Sequence, residues 1–322
     1  MESNKGNSYM RSNVTLLRFA LKYWYIFVGV ALVSGALAAI FSGPKFISPK
    51  YDSYGVIYPA NLGVYSGETR LEQMQQYLES NAIRDTIIKK FDLYEEYELD
   101  PEYHEAKSLM LYFYSEHIGF EETRFESIKI KARSTDPVKA RDIVAEIIHQ
   151  LNVKIRETER QKYGENITMF TAYTKELKSQ IDSLEKEIAE YSIKYNIIDL
   201  SSQSERVTEG YLQFLLQGKK GDAFEETKTI YQNLEKYGKS LDRMHLQLDE
   251  LTEVYAEMIT QLDEAKRNYN KEITYSNVLV EPEVSDKKAY PIRWLIVISA
   301  MVAASLFTFI VLTFVKYSPR KQ

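Results

Sequence analysis

Side chains able to do acid–base, metal or nucleophilic chemistry are plentiful in this chain, but they do not converge along it. The four histidines are His104, His117, His149 and His245. No two stand four residues apart, the spacing by which one helix offers two imidazoles to a metal. There is no cysteine, so neither a disulfide framework nor a thiolate metal site is available. No GxxxxGK[ST] phosphate loop occurs, and "GKKGD" at Gly218–Asp222 reads as a turn. No Ser/His/Asp grouping can be proposed from spacing. Carboxylates are abundant, but on heptad helices they are usually solvated flanks. The 25 tyrosines offer faces for stacking on sugars, yet many fall on apolar seams, where packing is the simpler role. The expectation is a chain with no catalytic residue, no cofactor, no metal and no nucleic-acid partner.

The positions with most physical leverage are instead prolines beside an apolar run, in "EPEVSDKKAYPIRWLIVISAMVAASLFTFIVLTFVKYSPRKQ". Proline fixes φ near −65° and removes an N–H, and it pushes the preceding residue to extended conformations. Pro282 and Pro291, with Arg293 close behind, therefore predict a stiff connector that sets the angle between the upstream chain and the apolar run. Pro291 also fits the first helical position of that run.

The run, Trp294 to Val315, carries no charge. As a helix it measures about 33 Å, enough for a hydrocarbon core of about 30 Å. A second uncharged run, Tyr23 to Pro44, has Tyr23, Trp24 and Tyr25 at its edge, as an interfacial aromatic belt would. A cleaved signal peptide competes for this run, but its apolar stretch exceeds the roughly 7–15 residues of such segments, and the expectation is a retained span. Small residues recur in both: Ala31, Gly35 and Ala39 in the first, Ser299 with Ala303 and Ala300 with Ala304 in the second. They are either ordinary membrane-helix composition or a close-packing face.

Sidedness is read from charge. Residues 1–22 hold four basic and one acidic side chain, and 316–322 hold three basic and none acidic. The remainder has 34 basic against 45 acidic residues, near −11. Counted close to the membrane the bias is seven basic to five, which places both tails in the cytoplasm and the middle on the other side.

The middle reads as α+β. Ser53–Tyr58 is strand-like between prolines, and "FESIKIKARS" alternates, with Ile128, Ile130 and Ala132 on one face and Ser127, Lys129 and Lys131 on the other. Ile273–Glu281 is also strand-like, so the three could share one sheet near the bilayer. Between the first two, residues 66–120 show helical spacing at Leu71, Met74, Leu78, Ile83, Ile87, Ile88 and Phe91, with Ser66 or Thr69 as cap. Asp136-Pro137 opens a long helix. A 4-3 seam then runs through Tyr163, Ile167, Phe170, Thr174, Leu177, Ile181, Leu184, Ile188, Tyr191 and Tyr195. A second runs from Ile230 through Leu241 and Leu251 to Tyr269. Two heptad arms predict a helical hairpin. The stretch "NIIDLSSQSER" between them reads as a loop, with a short helix at Glu209–Gln217.

Four segments together resemble the Wzz-type polysaccharide co-polymerases, the O-antigen chain-length determinants. They are "PKYDSYGVIYP", "STDPVKARDIVAEII", "LEKEIAEYSIKYNIID" and "VLVEPEVSDKKAYPIRWLIV". The family's pre-membrane prolines, three apart, fall here on Pro282, Ser285, Lys288 and Pro291, so the outer two are kept and the inner two are not. The resemblance implies two transmembrane helices flanking an extracytoplasmic α/β base with a long coiled-coil-like hairpin. The expected layout is a cytoplasmic tail 1–22, a span 23–43, a periplasmic domain 44–291, a span 292–315 and a cytoplasmic tail 316–322. It further implies a two-pass protein of the bacterial inner membrane that forms a homo-oligomeric ring. Such a protein is not an enzyme. It sets the length of a surface polysaccharide together with the membrane polymerase, and its other expected partners are the lipid bilayer and the growing polysaccharide. The alternative is an adaptor in an exopolysaccharide export complex, paired with a separate cytosolic tyrosine kinase.

Overall fold

The structure is a computed structural model that describes residues 21–317. The expected tails, 1–22 and 316–322, lie almost wholly outside the described residues. The chain forms two compact units, one of residues up to Lys154 together with Thr274 onward, the other Ile155–Ile273. The expected middle domain, 44–291, is thus divided between them.

In the first unit, helix α1 (Trp24–Phe41) is followed by strand β1 (Tyr51–Pro59). Then come α2 (Arg70–Leu78), α3 (Asn81–Lys90), the single turn α4 (Leu93–Glu96) and α5 (Ala106–His117). The helical spacing of residues 66–120 thus becomes four separate helices. Thr69 caps α2 in a capping box: its hydroxyl accepts from Glu72 N–H (3.2 Å), and its own N–H donates to Glu72 Oε2 (2.7 Å). Strands β2 (Ile118–Glu122) and β3 (Ile128–Ser134) form a hairpin. The three expected strands do join one antiparallel sheet, and β2 adds a fourth in the order β2-β3-β1-β4. Strand β4 spans Ser276–Val280.

Register places Ser53, Gly55 and Ile57 of β1 opposite Ala132, Ile130 and Ile128 of β3, and all six are buried. The other face carries Tyr54, Lys129, Lys131 and Arg133, with the Lys129 ammonium 4.7 Å from the Tyr54 ring centre. Ser127, expected on that solvated face, is buried instead. It precedes the strand, in a turn where its hydroxyl lies 2.6 Å from that of Thr123, so strand alternation does not govern it.

Helix α6 (Pro137–Tyr195) begins where expected, with Asp136 Oδ1 accepting from Val138 N–H at 2.8 Å. Its first part covers the sheet. Ala140, Ile143, Val144, Ile147 and Leu151 are buried, and a Cβ on Gly55 would stand 3.2 Å from Val144 Cγ1 and 3.3 Å from Ile148 Cδ1. Glycine at 55 therefore allows the helix to approach the strand closely. Lys139 and Ser134 bind Glu96, and Lys90 binds Glu146, each at 2.6 Å, tying α4 and α3 to the start of α6.

Asn152 fastens α6 to β4. Its amide oxygen accepts from Tyr275 N–H (2.6 Å) and Ser276 N–H (3.2 Å), and its NH₂ donates to Ser276 Oγ (2.8 Å) and the Ile148 carbonyl (2.9 Å). Replacing it with leucine removes the acceptor of two backbone N–H groups. The expected cost is about 1–3 kcal/mol, read as a lower midpoint in thermal unfolding of the purified protein. An unchanged midpoint would show that the contact contributes nothing to stability.

The second unit holds the rest of α6 with α7 (Leu200–Gln217) and α8 (Asp222–Tyr269). The heptad seams meet as an antiparallel hairpin. The Tyr195 and Tyr237 rings stack at 3.9 Å, and Gly164 lies against Tyr269 at the other end. Leu177, Ile181, Leu184 and Ile188 on one arm and Leu234, Leu241, Leu262 and Ala265 on the other are buried. The region expected to be mostly loop is helix from Leu200. Asp199 caps it by accepting from Ser202 N–H (2.6 Å), while Gln203 Oε1 accepts from the N–H groups of Ile198 (2.5 Å) and Asp199 (3.1 Å). Aspartate and glutamine there serve the cap, not a loop. Gly218 ends the helix at φ 62°, and Gly221 precedes α8 at φ 154°, so "GKKGD" is the turn between them.

Helix α9 (Arg293–Tyr317) closes the first unit. Among the described residues, α1 and residues Arg293–Val315 of α9 are the two helices long and apolar enough to cross a membrane.

Candidate functional site

The residues expected to matter gather where the chain enters and leaves the two apolar helices. Strand β1 begins shortly after α1 ends, and the connector 281–292 links β4 to α9. These two segments touch. Lys50 N–H donates to the Tyr290 carbonyl (2.9 Å), and the Lys50 carbonyl accepts from Ala289 N–H (2.8 Å) and Tyr290 N–H (3.2 Å). Ser53 Oγ donates to the Glu283 carbonyl (2.8 Å). Residues 284–288 loop out between these two fixed points, because the stretch from Lys50 to Ser53 is far shorter than the connector it answers. Pro282 is half-buried just past β4, where its missing N–H cannot continue the ladder. Pro291 is buried directly after the second fixed point. It is not the first residue of α9, as expected. The helix starts at Arg293, and the Ile292 carbonyl accepts the first helical bonds, from Leu295 and Ile296 N–H. The proline comes after a backbone bridge that already holds Tyr290, so the turn into the helix lies beyond it. Arg293 is exposed in the first turn.

Charge and burial reinforce this joint. Asp52 accepts from Arg133 at Nε (2.5 Å) and Nη2 (2.9 Å) and pairs with Lys131 at 2.8 Å. Partial burial pushes its carboxyl up, but the two cations outweigh it and hold the pKa below the usual range. Lys50 Nζ lies 2.6 Å from Nε2 of His117, at the C-terminus of α5. His117 is buried, stacked on Tyr97 with ring centres 5.0 Å apart, and its Nδ1 meets the Phe113 carbonyl at 2.8 Å. Lys50, Asp52, His117 and Asn152 were not among the expected site residues. For Lys50 and Asp52 a signal existed, since both stand in "PKYDSYGVIYP". His117 had none, being one of four scattered histidines.

The apolar helices pack antiparallel. A Cβ on Gly35 would stand 3.1 Å from Met301 Cγ and Sδ and 3.7 Å from Val297 Cγ1, and the Phe27 and Phe309 rings lie 6.3 Å apart. Of the small residues, Gly35 is buried and Ala31, Ala300 and Ala304 are half-buried, whereas Ala39, Ser299 and Ala303 are exposed. A four-residue step turns about 400° on an α-helix, so an i, i+4, i+8 row drifts off the contact. The more covered row on α1 instead runs through Ala31, Ser34, Gly35 and Ala38 to Ser42, which caps its end.

Among the described residues no three His, Asp or Glu side chains group as a metal site. The seam tyrosines pack on one another: Tyr191 on Tyr195 at 4.7 Å and on Tyr237 at 6.1 Å. What the arrangement can do is mechanical, since both helix connections are fastened to the same end of one sheet.

No protein-family model matches the chain, and no curated protein matches it. Among solved structures it is similar to a full-length bacterial polysaccharide co-polymerase, at 12% identity over 95% of this chain and 98% of that chain, with a TM-score of 0.48. It is also similar to the wild-type Shigella flexneri lipopolysaccharide O-antigen chain-length regulator, at 12% identity over 74% and 99% of the two chains, with a TM-score of 0.34. A fragment of the WzzB polysaccharide co-polymerase from Salmonella Typhimurium aligns at 13% identity over 75% and 100%, with a TM-score of 0.31.

Proposed function

We propose that the protein is a non-enzymatic regulator of surface-polysaccharide chain length in the bacterial inner membrane. In this reading α1 and α9 cross the bilayer, both termini are cytoplasmic and the rest is periplasmic. Several copies form a ring and act with the membrane polymerase that extends the polymer.

One observation carries the reading. The four segments that resemble the chain-length determinants coincide with the connecting parts of the fold. Residues 49–59 are Lys50 and β1. Residues 134–148 open α6 and cover the sheet at Gly55. Residues 184–199 close the packed end of the first hairpin arm, where Leu184, Ile188 and Ile197 are buried with Leu234 and Leu241. Residues 278–297 run from β4 through the connector into α9. A catalytic family would be expected to share side chains around a cleft, whereas these segments share joints and packing seams. Exposed Leu212, Leu215 and Leu216 on α7, a helix with no buried residue, are consistent with further contacts between copies.

The test is the size distribution of surface polysaccharide on a gel from cells lacking the protein. A loss of the preferred length, restored by the gene in trans, supports regulation. An unchanged distribution refutes it, and loss of exported polymer altogether favours the export-adaptor role.

A further inference from the structure

We propose that His117 and Lys50 form a proton-sensitive clasp: the neutral imidazole holds the Lys50 ammonium, and protonation of the imidazole releases Lys50 and loosens its backbone pairing with Ala289 and Tyr290.

The geometry sets the protonation state. The Phe113 carbonyl can only accept, so Nδ1, 2.8 Å away, carries the hydrogen. Nε2 then presents its lone pair, and the Lys50 ammonium at 2.6 Å donates to it. Both partners are satisfied by one tautomer of a neutral ring. A second proton would go onto Nε2 and aim an N–H at an ammonium group, placing two cations in contact. The ring cannot turn away, because it is 6% exposed and lies between Tyr97 and Phe113, at 5.0 and 6.3 Å. Lys50 is the partner that must leave.

The surrounding charges are set against the ring taking that proton. From the segment before β1 it faces Lys50, and from β3 it faces Arg133, which Asp52 partly neutralises along with Lys131. Tyr97 is kept neutral by burial and by Glu96 beside it. Glu116, on the same helix as His117, favours the proton. Burial lowers the pKa of His117 most. Lys50 and Arg133 lower it further, while the Phe113 carbonyl and Glu116 oppose them, and the balance is below the ordinary 6.5. With the folded value below the unfolded one, the clasp is fully formed above about pH 6.5 and is lost as pH falls through the lower folded value.

Lys50 gives this titration a consequence beyond local packing. Its side chain meets α5 while its backbone is the bridge to Tyr290, the residue before Pro291 and the apolar helix α9. Acidification therefore acts on the fixed point from which the connector enters α9. The clasp concerns the joint itself and stands apart from the polymer the protein is proposed to regulate.

Hydrogen–deuterium exchange on the full chain in lipid nanodiscs tests it. Peptides covering residues 46–54 and 282–292 are compared at pH 8 and pH 5, with rates corrected for intrinsic exchange. The wild type is expected to lose protection at Lys50, Ala289 and Tyr290 by about an order of magnitude at the lower pH, the scale of one lost hydrogen-bonded contact. His117→Gln, which keeps an acceptor but cannot titrate, should stay protected at both. Lys50→Met, which leaves the buried ring intact, should be equally exposed at both. A wild type without pH dependence overturns the clasp. So does a Lys50→Met variant that retains the wild-type response, and this variant decides the matter should His117→Gln fail to fold.

Discussion

Replacing Pro282 and Pro291 together with alanine is expected to change the preferred length of the surface polysaccharide while protein level and membrane insertion stay normal. Insertion depends on the apolar helices, which the change leaves untouched. The connector is what alters. Residues 281–292 are held at Glu283 by Ser53 and at Ala289 and Tyr290 by Lys50, with Ser285 Oγ donating to the Lys287 carbonyl between these points. Alanine at 282 restores an N–H that can extend the β4 pairing along β1. Alanine at 291 gives up part of a buried ring, about 0.8 kcal/mol per methylene, next to the bridge. Each substitution also returns backbone freedom, about 0.4–1 kcal/mol. Together these are small against the stability of a domain but large against the stiffness of a short joint, so the effect should fall on orientation. Gel analysis at matched expression reads it, with Lys288→Ala as a control at an exposed position of the same three-residue register. An unchanged length distribution would reduce both prolines to terminators of a strand and a helix.

The hairpin was legible in the sequence because its signal is redundant. Successive 4-3 positions agree on one face, and Leu177, Ile181, Leu184 and Ile188 are indeed buried. A cap such as Asp136-Pro137 is equally local. The misses have a shared physical cause, in that the deciding partner is distant. Ile118–Glu122 is a strand because β3 lies beside it, whereas its own five residues offer only Ile118 and Phe120 as an apolar face, too short an alternation to stand out. Residues 200–208 are helical because Asp199 accepts from Ser202 N–H, Gln203 reaches back to the N–H groups of Ile198 and Asp199, and Phe224 and Tyr231 of α8 supply a surface for Tyr211 of α7, at 5.8 and 4.9 Å. In the joint the difficulty is greater. Lys50 meets Tyr290 through backbone groups far apart in the chain, and a backbone hydrogen bond has no side-chain signature. The prolines at one end of this contact stood out in the sequence, but nothing there marked what they are held against. Ala39, Ser299 and Ala303 are exposed in the single chain whereas Gly35 is buried, a difference that four-residue spacing alone does not mark.

That last distinction yields the sharpest test of the apolar helices. Gly35→Leu is expected to separate α1 from α9, and Ala39→Leu, one turn further along on the exposed side, is not. At Gly35 even a Cβ would sit 3.1 Å from Met301. Methionine is flexible enough to turn aside for Gly35→Ala, but the rest of a leucine side chain must displace the helix itself. Within a bilayer the hydrophobic effect does not push two helices back together, so lost van der Waals contact is not recovered. Overpacking of this kind costs about 1–3 kcal/mol, roughly a 5-fold to 150-fold shift in a two-state pairing. The chain has no cysteine, so cysteines introduced at Phe27 and Phe309, whose rings lie 6.3 Å apart, can report proximity through a short bis-maleimide. Cross-link yield should fall severalfold in Gly35→Leu and hold in Ala39→Leu. Undiminished yield in Gly35→Leu would mean the helix pair absorbs the side chain. If polysaccharide length still changed in that case, the change would have to pass through a repositioning of the paired helices, because α9 covers the Gly35 face while the pair is intact.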